Sequence, residues 1–435
     1  MKPKKKVLII TYYWPPSGGS GVQRWVKFTK YIRQFGWEPV IYTPSNPEAP
    51  AIDNSLLKDI PSDVEVIKAP IWEPYTFYKK FVGIKKDEKL GAALMSSGNE
   101  NSFLKNISIW IRGNFFIPDA RKFWISPSVK FLETYLKKEK VDAIISTGPP
   151  HSMHLIGLGI SKKMNLPWIA DFRDPWTNID FFEDLKLSKF ARKKHHKLEK
   201  KVLDSTDKIV VISNTMKKEF EEITNSDITV ITNGFDSQDF SPKKYLPNIK
   251  CTISHIGMLT ATRNPQILWE VLKELSVELE GFKENFLLQL VGRVDGSIQA
   301  DIDKFKLEDL VEIIRYLPHD KVIPIQQKSE ALLLIINDSP NAALLLTGKV
   351  FEYLAAKRPI ICITPIDGDA SKLLEETATA STVLYSDKNE LKNQIIHIYK
   401  SWEKGINIYK ESNADQYSRE SLTEAFIEQL NSISK

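Results

Sequence analysis

Three short stretches of this chain put groups that bind phosphates and hydroxyls beside the turns that would present them. In LLLTGKVFEYLAAKRPIICI, residues 344–363, Thr347 and Gly348 open a helix whose first N–H groups have no partner within the helix. Lys349 adds a positive charge there, so a pyrophosphate is a fitting guest. Glu352 lies one turn further in, where a carboxylate either accepts from two vicinal hydroxyls of a ribose or merely complements the helix dipole. In HIGMLTATRNP, residues 255–265, Gly257 permits close backbone approach after a strand and Arg263 can reach a diphosphate with its planar fork. The third stretch is Pro16 to Gly21, where Gly18, Gly19 and Gly21 stand between a strand and a helix. Such a loop is either a phosphate-type site or a close-packed turn. A dinucleotide fingerprint would need a third glycine where Arg24 stands, and the second strand ends in VIYTP without a ribose-binding acid, which disfavours nicotinamide cofactors.

Two further clusters carry candidate acid–base groups. STGPPHSMHLIGLG, residues 146–159, ends a strand, turns at Gly-Pro-Pro and supplies His151 and His154 at the carboxyl edge of a sheet, where open α/β proteins place ligands. A neutral imidazole there can donate to a sugar or phosphate oxygen. One of the pair is expected to pack, and His154 is the catalytic candidate. ADFRDPW, residues 170–176, crowds Asp171, Arg173 and Asp174 at another strand end. Either Arg173 pairs with a carboxylate to order the loop, or an acid, Asp174, faces an acceptor hydroxyl. The DGD at 367–369 reads as an Asp-Gly turn rather than a metal site. No Cys/His arrangement has zinc spacing, and neither a nucleophile elbow nor a P-loop motif occurs.

These residues need a sheet to hold them. VLIITYY, a periodic segment over 22–35, and EPVIYTP predict strand, helix, strand. Apolar strand runs follow at 64–70, 142–147, 166–172 and 208–213, and the pattern restarts at 251–257, 286–292, 311–317, 331–337 and 359–365. The fold class is α/β, two doubly wound Rossmann-like halves. The turn-rich stretch 235–250 marks the boundary. The expected domains are 1–240, for the acceptor, and 241–410, for the donor. Over 411–435, Ser421 and Glu424 suggest a capping box and Leu422, Phe426 and Leu430 an apolar stripe, hence a helix packing across the junction. Residues 71–126, rich in Trp, Phe, Tyr, Lys and Arg, form an insertion: either a membrane- or acceptor-facing surface, or an ordinary helical subdomain. The basic run 185–201 is either a solvated helix face or a site for anionic lipid.

At 435 residues, the chain accommodates two cores, and 42% hydrophobic with 26% charged residues is a globular composition. A net charge of +5 is too mild to claim nucleic acid. Cys251 and Cys362 each sit in an apolar run, so buried thiols in a reducing, cytoplasmic compartment are expected. The basic start leads into a first strand rather than a signal h-region, and no stretch approaches a membrane span.

In this order the motifs YYWPPSGGSGVQRW, DFRDPW, VITNGFD and GKVFEYLAAKRP resemble glycosyltransferase family 4 over most of the chain. The resemblance implies a GT-B fold, with the two halves facing across a cleft, and transfer of a sugar from a nucleotide-sugar donor with retention and without metal or other cofactor. It places Gly18, Gly19 and Gly21 near the sugar and acceptor. Arg263 matches the second of the family's two basic phosphate binders, and Met258 stands where the first would be. Glu352 matches the second, ribose-binding member of a pair of glutamates, and Leu344 occupies the place of the first. Asn341 then substitutes for it, the donor is handled differently, or activity is reduced. The expected acceptor is a polysaccharide, lipopolysaccharide or lipid-linked saccharide of the cell envelope, met peripherally at the inner face of an anionic membrane. Rival readings are a nucleotide-sugar 2-epimerase and a catalytically degenerate GT-B scaffold.

Overall fold

The computed structural model describes residues 5–49, 52–73, 102–179, 182–240, 248–339, 342–365, 368–377, 380–408 and 413–434. Much of the aromatic insertion, residues 74–101, lies outside these, as do Asn341 and Asp367. Contacts divide the chain into one unit of Met1–Thr232 with Leu422–Lys435 and a second of Asn233–Ser421.

The first unit is built on β1 (Lys5–Ile10), β2 (Trp37–Pro44), β3 (Glu65–Ala69), β4 (Ala143–Gly148), β5 (Trp168–Phe172), β6 (Lys208–Val211) and β7 (Ile228–Val230). They lie parallel in the order β3-β2-β1-β4-β5-β6-β7. Helices α1 (Ser20–Tyr31), α2 (Ser102–Phe115), α3 (Lys122–Leu136), α4 (Ser152–Met164), α5 (Lys189–Leu203) and α6 (Asn214–Glu221) intervene between the strands. Central strands buried on both faces explain the unbroken apolar runs VLII and AII. The second unit repeats the scheme with β8 (Cys251–Ile256), β9 (Phe286–Val291), β10 (Val311–Ile314), β11 (Ala331–Ile335), β12 (Ile360–Thr364) and β13 (Ala380–Leu384), ordered β10-β9-β8-β11-β12-β13. Its helices are α7 (Gln266–Glu278), α8 (Phe282–Asn285), α9 (Gly296–Phe305), α10 (His319–Lys328), α11 (Gly348–Ala356), α12 (Asp369–Glu376) and α13 (Lys388–Glu403). Both sheets are Rossmann-like and both reverse direction once: between β1 and β4 in the first, between β8 and β11 in the second. Such switch points leave a crevice at the carboxyl ends of the strands, and this is where doubly wound sheets bind ligands.

The final helix, α14 (Arg419–Ile433), sends Leu422, Phe426, Ile427 and Leu430 into the first unit's core beside Val7, Trp25 and Phe28. Trp25 meets Phe426 edge-on at 5.2 Å, and Trp37 Nε1 donates to Asn431 Oδ1 at 3.1 Å. Ser418, not Ser421, caps this helix: its Oγ accepts from Ser421 N at 3.2 Å. The aromatics over 71–126 divide. Trp124 is buried and stacks on Tyr42 at 4.9 Å, whereas Trp72, Trp110, Phe115 and Phe123 stay exposed.

Candidate functional site

In the second unit the chain leaves β8 at Gly257, whose φ of +120° and N–H to Val291 O at 2.6 Å bring it against the turn after β9. Gly292, also at positive φ, packs on the Gly257 backbone. No side chain fits at Gly257 because the ammonium end of Lys349 occupies the space a Cβ would need. The short turn Ala261–Arg263 then points Arg263 back: its Nε donates to Asn337 Oδ1 just past β11, and its Nη1 to Met258 O at 3.4 Å. Two cations thus converge at the switch point. Burial, with Arg263 adding to it and Glu352 opposing, lowers the Lys349 ammonium to about 7. His255, fully buried on β8, gives Nδ1 to a bond with Leu333 O at 2.9 Å, while its Nε2 has no partner. Burial and the same two cations hold this ring neutral.

Lys349 stands in the first turn of α11. Thr347 is the N-cap of that helix but makes no side-chain cap bond, and its hydroxyl oxygen is buried without a partner. The amide donors that open α11, including that of Gly348, therefore meet no capping side chain. Glu352, one turn on, is held from two sides. Gln326 Nε2 donates to its Oε2 at 3.1 Å, and His319 Nδ1 lies 3.8 Å from its Oε1 while Nε2 of the same ring bonds Asp239 at 3.2 Å. Cations and N–H donors for an anion thus stand one helical turn from an oriented hydroxyl acceptor. Asn337, His319 and Gln326 escaped the sequence reading. Only the Pro-His step at the start of α10, a strand-to-helix turn, hinted at one of them.

In the first unit, β4 runs into Gly148-Pro149-Pro150 and α4 begins, with Asp119 accepting from both Ser152 N and Ser152 Oγ at 2.8 Å. His154 is fully buried, stacked on Phe172 at 4.1 Å, with Nδ1 2.9 Å from Ser146 Oγ. Trp168 Nε1 donates to that same hydroxyl at 2.8 Å, which fixes the hydroxyl beside the ring. Burial, with Arg173 next, lowers His154 to about 3, so it stays neutral at physiological pH. His151 stacks on Trp176 at 4.8 Å and is likewise held neutral, first by burial. Nε2 of His154 and Nδ1 of His151, both buried without a hydrogen-bond partner, flank Gly148.

Arg173 closes this corner. Its N–H donates to Gly148 O at 3.0 Å, its guanidinium donates to Pro149 O, and it lies over Gly21, leaving no room for a side chain there. Asp174, partly exposed, stands beside it and favours its charge. Asp171 takes Arg24 instead, through Nη2 at 2.9 Å and Nε at 3.3 Å, and accepts from Trp25 and Thr147 as well. Arg24 also donates to the carbonyls of Ile231 and Thr232, which explains an arginine where a dinucleotide fold keeps glycine. Gly18 is buried and Gly19 adopts φ +108°, while the start of the loop is tied down where Asp53 N donates to Pro16 O at 2.8 Å. The structure therefore gathers Gly21, Gly148, His151, His154 and Arg173 beside the β1/β4 switch, and Gly257, Arg263, Thr347, Lys349 and Glu352 beside the β8/β11 switch.

Residues 94–239 match the model of Glycosyltransferase Family 4. Among solved structures, a glycosyltransferase from Rickettsia africae ESF-5 superposes with TM-score 0.63 at 16% identity over 99% of both chains. The Anabaena protein HepE in complex with UDP-glucose gives 0.63 at 13%, covering 98% of this chain and 100% of that one. A variant of S. aureus TarM with fondaparinux, α-GlcNAc-glycerol and UDP gives 0.60 at 12%, covering 98% and 100%. No curated protein matches the sequence. The chain has the GT-B fold, and its resemblance to family 4 is carried by residues 94–239.

In this GT-B chain Leu344, where the resemblance sets the first family glutamate, is 8% exposed within the turn Ala342–Leu344, a buried apolar side chain. Met258, where the resemblance sets the first family basic residue, is exposed, and its carbonyl accepts from Arg263 Nη1 at 3.4 Å. Asn341 lies outside the described residues. Gly368 N donates to Ser371 Oγ at 3.1 Å at the start of α12, so the described part of the DGD turn serves a helix end. Among the described residues, no helix is long and apolar enough to cross a membrane.

Proposed function

We propose that this protein is a glycosyltransferase that moves a sugar from a nucleotide-sugar donor to a saccharide or lipid-linked saccharide acceptor of the cell envelope, with retention and without a metal ion or other cofactor. One observation carries the reading: Arg263 and Lys349 converge at Gly257 beside the second switch point while Glu352 waits one helical turn away, held by Gln326 and His319. The cations and the N-terminus of α11 suit a diphosphate, and Glu352 suits the ribose hydroxyls. As the glycosidic bond to phosphate breaks, negative charge grows on the nucleoside diphosphate, and groups fixed in advance at that spot stabilise it. The donor phosphate then takes the proton of the acceptor hydroxyl arriving on the same face. In the first unit, the neutral His154 serves as hydrogen-bond donor and Asp174 as acceptor toward a saccharide hydroxyl, with Gly18, Gly19 and Gly21 giving close backbone approach. HepE with UDP-glucose and TarM with UDP and saccharides share this fold, which favours such substrates. The site of action proposed is the cytoplasm, peripherally at the inner face of the plasma membrane.

The buried Leu344 supports a second reading, a scaffold that binds nucleotide without transfer. Calorimetry and thermal shift with UDP, GDP, ADP and their sugars, with and without EDTA, test the donor site, and product analysis tests the chemistry. Selective binding unaffected by EDTA, followed by transfer to a saccharide, is the expected result. Binding without turnover selects the scaffold; a sugar epimer formed with no acceptor selects an epimerase; no binding by any nucleotide ends the proposal.

A further inference from the structure

From Lys189 on, the basic run 185–201 folds as α5, and the helical repeat sorts its side chains sharply. Ala191, His195, Glu199 and Val202 are buried against the first unit. At 100° per residue, Phe190, Lys193, Lys194, Lys197 and Lys201 fall on the opposite face within about a third of the circumference. All five are exposed, and Phe190 is 75% accessible, an unusual position for a side chain that gains about 1.5–3 kcal/mol on leaving water. The only acid of the helix, Glu199, points inward, where Thr177 Oγ1 donates to it at 2.5 Å. Arg192, at the side, is paired with Glu183 at 2.6 Å. Among the described residues, the four lysines have no carboxylate partner.

The neighbouring helices extend the face. Asn114 near the end of α2 accepts from Ser188 N at 2.8 Å, just ahead of α5, so the two helix ends are fastened together. There Phe115 is 58% exposed and meets Trp110 edge-on at 5.7 Å. Lys122 Nζ donates to Phe115 O at 2.5 Å and lies 4.9 Å over the ring of Phe123, which in turn meets Trp72 at 4.9 Å. Lys194 is close enough to repel the Lys122 ammonium. Exposed rings beside unpaired ammonium groups on a tethered pair of helices are not needed by the core, which Trp124 and Tyr42 already fill from the other side.

We infer that the face formed by Phe190, Lys193, Lys194 and Lys197 with Phe115 and Phe123 docks on the surface of an anionic phospholipid membrane. The lysines meet the headgroup phosphates and the rings enter the boundary with the acyl chains. The charge match favours this occupant: a nucleic-acid backbone would satisfy the lysines but leave the phenylalanines in water, while an anionic lipid surface takes both, the lysines at its headgroups and the rings at the acyl boundary. The assignment rests on the reading of an envelope acceptor held at a membrane, and it fixes which side of the first unit faces that membrane.

The test uses the full chain and vesicles of phosphatidylcholine with or without phosphatidylglycerol, in co-sedimentation without any sugar donor. Binding is expected only with phosphatidylglycerol and weakens with salt. The triple variant K193E/K194E/K197E should bind about 100-fold more weakly, taking about fivefold for each lysine lost. F190S should bind about tenfold more weakly. Both should keep the wild-type circular dichroism and nucleotide affinity, so failure here is separable from failure of the donor site. Equal binding to pure phosphatidylcholine, variants that bind vesicles as wild type, or tighter binding to RNA than to anionic vesicles would overturn the proposal.

Discussion

Asp171 and Arg24 lie 147 positions apart and hold each other with both side chains wholly out of water, Oδ1 to Nη2 at 2.9 Å. Leaving either ion alone in that setting is expensive, about 3–5 kcal/mol. Asp171→Ala should therefore lose roughly that much stability in urea titration. Asp174→Ala, three residues on and partly exposed, should keep most of its stability and lose turnover instead. Equal destabilisation by the two would contradict the division of roles.

Lys349 makes donor binding pH-dependent. A bound diphosphate favours its ammonium, which otherwise releases its proton near about 7. With a nucleotide-sugar, whose phosphodiester oxygens do not titrate in this range, affinity should fall as pH rises through about 7, approaching tenfold per unit above it. Calorimetry of Lys349→Met should show a flat profile. Folding of the free protein has the opposite slope. The unfolded lysine keeps its proton up to about 10.5, so between about 7 and 10.5 the unfolded state holds more protons and stability rises with pH.

Gly257→Ala asks a side chain to adopt φ +120° and to occupy the place of the Lys349 ammonium. The backbone strain is about 1–3 kcal/mol, and the displaced lysine should weaken nucleotide binding beyond what Gly36→Ala does. Gly36 also has positive φ but has nothing within 4 Å of its added carbon, so it controls for strain alone.

Glu352→Ala and Arg263→Ala should each weaken nucleotide affinity about tenfold or more with little change in melting temperature, the loss of a charged hydrogen-bond partner being worth about 1.5–3 kcal/mol. His319→Ala should raise the donor KM with a smaller effect on kcat, because it acts by orienting Glu352, and His319→Gln should recover part of the loss. Unaltered affinity in both Glu352→Ala and Arg263→Ala would remove the donor site from this end of the second sheet.

The sheet was readable in the sequence because its central strands are buried on both faces and spell themselves out as AII, ALLLI and IICIT. The edges β3 and β10 were read as well, but the edges at the other side of each sheet were not. β7 is three residues long and β13 reads ASTVL, with two hydroxyl side chains where a central strand would carry branched aliphatics. Glycines at strand ends announced both switch points, but the partners across each sheet were hidden: nothing in a linear string ties Arg24 to Asp171 or His319 to Glu352. Composition alone also cannot sort aromatic residues, so Trp124 and Trp72 look equivalent in sequence although one lies under Tyr42 and the other in solvent.

Helix α14 has a consequence for how the molecule is made. Trp25 and Phe28 find Phe426 only after the ribosome has translated the whole second unit. Until residues 422–435 emerge, the nascent first unit presents an open apolar seam, a natural site for a chaperone to hold. Expression of residues 1–232 alone should yield an aggregating fragment, and joining 422–435 to it through a flexible linker should restore solubility.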